Sequence, residues 1–226
     1  MRKLWPFILL AILSLLFLVS EMVLPKMFAQ NIADIFKDYL EEGELAVLVK
    51  TKPSLNLLRG QVDKLILEGQ DLLLEGLAIA EVVAVIEDIK MVRQEEEWVI
   101  EKGEMTGLKM VLEESALNDY LASAFGLGMP NISLRPDSAS LSGYFTVFGQ
   151  QLLLNLEGVF AVKDSRYLFF EPRRLLLDEF QIPSILLKGI FAEAGFQVDL
   201  GLFPFPFKVN QVQIGENRLT LLTKNN

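Results

Sequence analysis

Residues 138–180 read SASLSGYFTVFGQQLLLNLEGVFAVKDSRYLFFEPRRLLLDEF and carry the clearest structural pattern in the chain. Apolar and polar residues alternate over much of this stretch, for example along residues 154–157. Such alternation is typical of β-strands that bury one face. Turn-forming residues at 148–150 and 164–165 interrupt it. The stretch therefore predicts a meander of long antiparallel strands.

The flanking segments predict helices and further strands, which together make an α+β domain. Apolar residues recur at the spacing of one helical face, and glycine or proline marks the ends. Residues 77–92 stay open, because their alanines favour helix and their valines favour strand. Helices are predicted over residues 25–40, 53–59, 116–125 and 183–195, and strands over 46–51, over 106–112 and on both sides of a turn at 215–217.

The N-terminus carries an apolar segment that is long enough to span a membrane. Arg2 and Lys3 precede an apolar run from Leu4 to Val19 that continues to Leu24. About 21 residues make about 31 Å of helix, which matches the core of a bilayer. The basic residues place the N-terminus in the cytoplasm and the domain outside. No suitable pair of small residues marks a cleavage site, so we expect residues 1–24 to be a retained anchor in the cell membrane. Cleavage of this segment, followed by secretion, is the alternative.

The composition excludes several classes of function. The chain of 226 residues has no Cys and no His, so thiol nucleophiles, Ser-His-Asp triads and Cys or His metal sites are impossible. Its net charge of −9 argues against a nucleic-acid partner. We therefore expect no enzyme, no catalytic residue, no metal and no cofactor. A hydrolase that uses a pair of carboxylates remains an alternative.

Three short segments together form a recognisable pattern. The first is residues 24–26, which open the helix beyond the apolar segment, and the second is the strand-to-helix junction at 112–121 with Ala116-Leu117-Asn118. The third combines residues 204–209 with 215–219. In these segments the chain resembles the LmeA-like phospholipid-binding family of bacterial envelope proteins. The resemblance covers residues 22–223. It implies a domain distantly like tubular lipid-binding domains, in which a long helix and two shorter ones pack on a strongly curved antiparallel sheet. It also implies that residues 77–92 form a strand.

The resemblance implies an apolar groove between the helix and the sheet for acyl chains, and the residues support this independently. Apolar residues stand at successive positions at 72–74, 152–154, 168–170 and 175–177, so these strands are apolar on both faces. The expected partners are a phospholipid or another acyl lipid, and the membrane. An Asp at position 154 or 156 should abolish lipid binding, while the protein stays folded if the groove is roomy. We expect the site to lie between the first helix and the long strands of residues 139–180. The predicted lipid-binding residues are Phe28, Ile32, Phe36, Phe145, Leu154, Leu156, Phe160 and Phe170.

Three alternatives stay open at this point. The apolar groove is either a lipid site or only the core of a non-enzymatic envelope scaffold whose surface binds an unidentified protein. Arg173 and Arg174 either meet a lipid phosphate or point in opposite directions as a surface pair. Residues 203–207 either form a loop that dips into the membrane or gates the groove, or plug the core.

Overall fold

The computed structural model describes residues 5–94, 97–125, 131–147, 150–177, 180–182, 197–200 and 208–223. The predicted third helix at 183–195 and the proline-aromatic stretch at 203–207 lie outside these residues. In chain order the elements are α1 (Trp5–Lys37), β1 (Glu42–Lys50), a 3₁₀ helix (Ser54–Arg59), β2 (Gln61–Leu74), β3 (Leu77–Gln94), β4 (Glu97–Glu113), α2 (Glu114–Phe125), β5 (Asn131–Arg135), β6 (Ser138–Val147), β7 (Gln150–Lys163), β8 (Tyr167–Leu177), β9 (Phe180–Ile182), β10 (Gln197–Asp199), β11 (Gln211–Gly215) and β12 (Arg218–Thr223).

The strands form strongly curved antiparallel sheet, which confirms the expected α+β class. The first sheet has the order β1-β2-β3-β4-β12-β11. The second has the order β10-β8-β7-β6-β5, with β9 paired to β8. Strands β6, β7 and β8 are the meander predicted from residues 138–180. Residues 77–92 belong to strand β3, in which Val82, Ala84 and Ile86 are buried at alternate positions. Burial on one face therefore outweighs the helix propensity of the alanines.

Helix α1 is continuous from the apolar N-terminal segment into the domain, whereas the sequence predicted a new helix beginning at Pro25. Pro25 lies inside α1. A proline removes one helical hydrogen bond but does not end a helix whose neighbouring residues still favour it, as membrane helices often show. The backbone N–H groups of Tyr39 and Leu40 donate to the carbonyl oxygen of Phe36 just past the C-terminal end of the helix, at 3.0 and 3.1 Å.

The second half of α1 docks on the first sheet through the predicted apolar stripe. Phe28, Ile32 and Phe36 lie one helical turn apart and are all buried. The helix also contacts β1 and the 3₁₀ helix. The same continuous core includes buried side chains from both sheets. The prediction that this helix buries its Phe28, Ile32 and Phe36 face is confirmed.

Replacing Phe36 with Ala should lower the free energy of unfolding by about 3–5 kcal/mol, since a large buried side chain leaves a cavity. Met27, on the exposed side of the same helix, provides the control. Met27→Ala should change stability by less than about 0.5 kcal/mol. Denaturant unfolding in mild detergent measures both changes. Equal effects at the two positions would contradict the docking of this helical face.

Hydrogen bonds join the two sheets at one end. They run from α2 to β5, and from the turn between β5 and β6 to β11. The side-chain amide of Asn118 donates to the carbonyl oxygen of Ile132 at 2.9 Å and accepts from its N–H at 2.7 Å. The Glu114 carboxylate accepts from the N–H of Leu134 at 2.5 Å. The N–H of Asp137 donates to the carbonyl oxygen of Ile214 at 3.1 Å. Asn118 therefore fixes the junction between α2 and β5 through its side chain.

Candidate functional site

An apolar cleft lies where the second half of α1 crosses the first sheet. Phe36 contributes one wall, and Leu67, Leu72 and Val82 contribute the opposite one. The free volume of this cleft is only about 10 Å³. Sites that hold a drug-sized ligand usually measure roughly 300–1,000 Å³. Side chains of α1 and the sheet therefore fill the groove in this structure. The full lining is Phe36, Leu40, Leu45, Leu67, Leu72, Leu74, Val82 and Ala84.

The three predicted site residues of α1 lie in one half of the core. Phe28 packs on Trp98 with ring centroids 5.5 Å apart at an angle of 52°. Ile32 and Phe36 follow along the same groove. Their described neighbours come from the first sheet, whereas we expected the strands of residues 139–180. Sequence reasoning did not identify Trp98 of β4 or the β3 residues that line the cleft, such as Val82. It did identify the apolar run at 72–74, which lies in β2.

The predicted residues of the second sheet form the other half of the same core. Leu156 is fully buried between its cross-strand neighbours Leu141 and Leu175. Phe160 and Phe170 meet across β7 and β8 with centroids 5.6 Å apart at 70°. Phe145 and Leu154 belong to β6 and β7, and their side chains lie outside the described part. A lipid-binding role for all eight residues stays a prediction.

A polar cavity of about 390 Å³ opens on the opposite face of the second sheet. Glu157 pairs with Arg174 and Gly158 pairs with Pro172, so Arg173 is an extra residue in β8. Such a bulge interrupts the alternation of side-chain directions. Both arginines consequently line the cavity, and Arg174 lies 3.9 Å from the Glu157 carboxylate. The remaining lining is Ser133, Arg135, Asp137, Ser138, Ala139, Ser140, Asn155, Gly158 and Val159.

This cavity is separated from the buried apolar face by the thickness of the sheet. Glu157 points to the cavity, and Leu156, its neighbour in β7, points into the core. One lipid cannot place its phosphate at these arginines and its chains beside Leu156 without crossing the sheet. The two sites are therefore distinct.

Carboxylates gather in a second, acidic cleft of about 260 Å³. Glu42, Asp71, Glu113 and Asp119 line it, and all four are exposed. Within the part of the chain that the structure describes, no three acidic side chains are arranged to hold a metal ion. The cleft resembles a solvated acidic surface more than the desolvated sites in which acid-base catalysis usually occurs.

One further ion pair tightens the edge of the second sheet. Arg166 donates two hydrogen bonds to the Asp199 carboxylate, at 2.7 and 2.6 Å. The hydrogen bond and the negative charge of Asp199 raise the pKa of Arg166 above its ordinary value. The pair holds β10 against β8 and lies outside the apolar cleft, the polar cavity and the acidic cleft.

The first half of α1 is apolar and exposed. By length and composition, residues 8–37 form a helix capable of crossing a membrane, and its most apolar window has no buried residue. Where this segment meets the domain, Glu21 accepts two hydrogen bonds from Ser54. They come from the backbone N–H at 2.8 Å and from the hydroxyl at 2.9 Å. The 3₁₀ helix is thereby fixed to α1 at the level of Glu21.

Comparison with known proteins identifies one family. Residues 20–224 match the sequence model of the family described as LmeA-like phospholipid-binding. No curated protein and no solved structure matches the chain. The match covers β1 to β12, α2, the second half of α1 and the apolar cleft, and it confirms the family that the sequence resembled. The chain belongs to the LmeA-like phospholipid-binding family.

Proposed function

We propose that this protein is a membrane-tethered, extracytoplasmic lipid-binding protein without a catalytic role. It holds or shuttles phospholipid acyl chains in the apolar groove between the second half of α1 and the first sheet. Membership of a phospholipid-binding family supports the ligand class. The observation that carries the proposal is the continuity of α1, which is exposed and apolar in its first half and docked in the groove in its second.

The energetics of the groove suit a lipid chain. Transfer of a 14-carbon chain out of water gains on the order of 11 kcal/mol before costs, at about 0.8 kcal/mol per buried CH₂. The cleft has a free volume of only about 10 Å³, so an acyl chain has to make its own room. In our proposal a chain enters by displacing Phe36 and its neighbours from the walls of β2 and β3, and these same side chains refill the groove on release.

A second candidate is a non-enzymatic envelope scaffold that binds another protein. The small volume of the cleft favours it, because a scaffold needs no room in its core. The two candidates differ in whether lipid chains contact β2 and β3. This contact is therefore the quantity to measure.

Photo-crosslinking of the full chain in vesicles separates the two functions. The vesicles contain phosphatidylcholine with a diazirine in one acyl chain, and adducts are mapped by peptide mass spectrometry. A lipid carrier should give adducts around Leu67, Leu72 and Val82 as well as on the exposed half of α1. Adducts confined to α1 and the domain surface would reject the groove as a lipid site and favour the scaffold.

The tether itself predicts that the N-terminal segment remains on the mature protein. The motive is the absence of small residues at suitable positions before Pro25. Intact-mass measurement of protein from the membrane fraction should therefore return the chain with residues 1–24. A mature N-terminus between Glu21 and Asn31 would replace the tether with a cleaved signal.

A further inference from the structure

The 3₁₀ helix presents two leucines to the outside. Residues three apart eclipse one another in a 3₁₀ helix, so Ser54 and Leu57 share one side and Leu55 and Leu58 share another. Ser54 and Leu57 are buried. Leu55 is 44% exposed and Leu58 is 60% exposed. The short helix is therefore amphipathic, with an apolar outer side that nothing in the domain covers among the described residues.

The contact with Glu21 sets the position of these leucines relative to the apolar half of α1. Glu21 lies 16 residues after Trp5, or about 24 Å along the helix at about 1.5 Å per residue. A bilayer core is about 30 Å thick, so Glu21 lies close to its outer boundary when the apolar segment spans it. Ser54 is hydrogen-bonded to this carboxylate at 2.8 and 2.9 Å. Leu55 and Leu58 then lie at the depth of the headgroups and first methylenes.

We propose that the 3₁₀ helix Ser54–Arg59 docks in the membrane interface beside α1, with Leu55 and Leu58 inserted among the lipids. This inference rests on the proposed tether. Its occupant is the bilayer itself, because the exposed leucines continue the apolar surface of α1 at the same depth. The 3₁₀ helix supplies a second contact, so the domain has a fixed orientation on the membrane rather than free rotation about one helix.

The residues around the 3₁₀ helix suit this environment. Lys52 precedes it, Arg59 ends it and Lys26 follows Glu21 on α1, and all three are exposed. Such cations attract anionic lipid headgroups. Trp98 lies against Gly60, directly after the helix, and tryptophan is enriched at the boundary between lipid and water. Two carboxylates lie among these cations, Glu21 and Asp63, and Asp63 accepts the N–H of Lys52 at 2.9 Å. The edge is therefore less acidic than the whole chain, whose net charge is −9.

Lipid-borne quenching tests the depth of the leucines directly. The chain has no cysteine, so each single-cysteine variant carries one label at one known place. Full-length Leu58→Cys and Leu55→Cys proteins carry an NBD fluorophore in vesicles of phosphatidylcholine and phosphatidylglycerol, three parts to one. The quencher is a spin label on the acyl chain of added phosphatidylcholine, at a shallow position for the labels at 55, 58 and 153 and near the end of the chain for a label in the centre of the apolar segment. Both labels should lose at least about half of their fluorescence, as expected for groups in the interface.

Two further labels make each outcome decisive. Leu13→Cys lies in the apolar half of α1 and reports the tether, and Leu153→Cys lies on the exposed face of β7 and should not be quenched. If the labels at Leu13 and Leu58 are both quenched, docking is supported. Quenching at Leu13 without quenching at Leu55 and Leu58 would overturn the docking and leave the tether intact. An unquenched Leu13 label would overturn the tether and this inference together, and equal quenching at Leu153 would show that the contact is not specific.

A charge on the exposed side of the 3₁₀ helix tests whether its apolar character drives the docking. In a Leu58→Asp protein labelled at Leu55→Cys, quenching should fall at least about twofold, because a charge at the interface opposes insertion. The label at Leu13 should be unaffected. Unchanged quenching at Leu55 would show that the tether alone holds the helix at this depth and would overturn the proposed insertion.

Discussion

The Leu156→Asp protein is expected to lose about 5 kcal/mol of stability, because a buried leucine is lost and an unpaired charge takes its place. Leu156 is 0% exposed and lies between Leu141 and Leu175 in adjacent strands. The sequence suggested that such a variant stays folded if the groove is roomy. Because Leu156 has no exposed surface, we expect lipid binding and folding to be lost together. Thermal unfolding and crosslinking to lipid measure the two losses.

Leu153 provides the matched control for this substitution. It lies three residues earlier in the same strand, on the opposite face, and is 63% exposed. Leu153→Asp should change stability by less than about 0.5 kcal/mol, since a charge there stays in water. A stable Leu156→Asp protein that no longer binds lipid would reveal a roomy groove beside β7. A stable protein that binds lipid normally would remove Leu156 from the site.

Gly60→Ala is expected to cost about 3–5 kcal/mol, from a strained backbone and a direct overlap. Gly60 ends the 3₁₀ helix in the left-handed conformation, with φ of +72°. Its carbonyl oxygen accepts a hydrogen bond from the N–H of Met91 at 2.7 Å. A Cβ at Gly60 would overlap the carbonyl oxygen of Met91. The substitution therefore separates the 3₁₀ helix from β3, and lipid quenching at position 58 should fall with stability.

Gly76→Ala is the control that separates the steric overlap at Gly60 from the strain of a left-handed backbone. It has φ of +78°, close to that of Gly60, but a Cβ there would have no atom within 4 Å. Gly76→Ala should cost only about 1 kcal/mol, the usual penalty of a left-handed residue. Denaturant unfolding of the two variants gives the difference directly. Equal costs would show that the contact with Met91 adjusts freely.

Local patterns predicted the strands and the turns of this fold well. The alternation in residues 138–180 identified β6, β7 and β8, because a period of two is a property of each strand by itself. Gly60 was correctly expected to end the preceding helical turn, since its conformation is set by its immediate neighbours. The prediction that a new helix begins at Pro25 was wrong, because it too relied on one local signal. As a local signal this proline marks a boundary, but the continuous helix also depends on the apolar residues before it and the docked stripe after it.

The candidate site depended on information that no single segment contains. Phe28, Ile32 and Phe36 were identified as a docking face from their spacing, but the spacing does not say which sheet receives them. The walls came from β2 and β3 because the order of strands in the sheets places them there. The sequence also could not predict that Arg173 and Arg174 line the same cavity. This arrangement follows from the bulge opposite Gly158, where a Cβ would overlap the carbonyl oxygen of Glu171.

The single helix that joins the apolar segment to the groove has a mechanical consequence. On either side of the Glu21–Ser54 contact, α1 extends about 24 Å back to Trp5 and about 22 Å forward to Phe36, at about 1.5 Å per residue. In a chain that keeps its anchor, Glu21 therefore divides α1 into an outer arm of membrane-facing residues and a docked arm of nearly equal length. Membrane helices change their tilt when the bilayer becomes thicker or thinner. If the proposed anchor spans the membrane, a change of tilt is transmitted along one continuous helix to Phe36 in the apolar cleft.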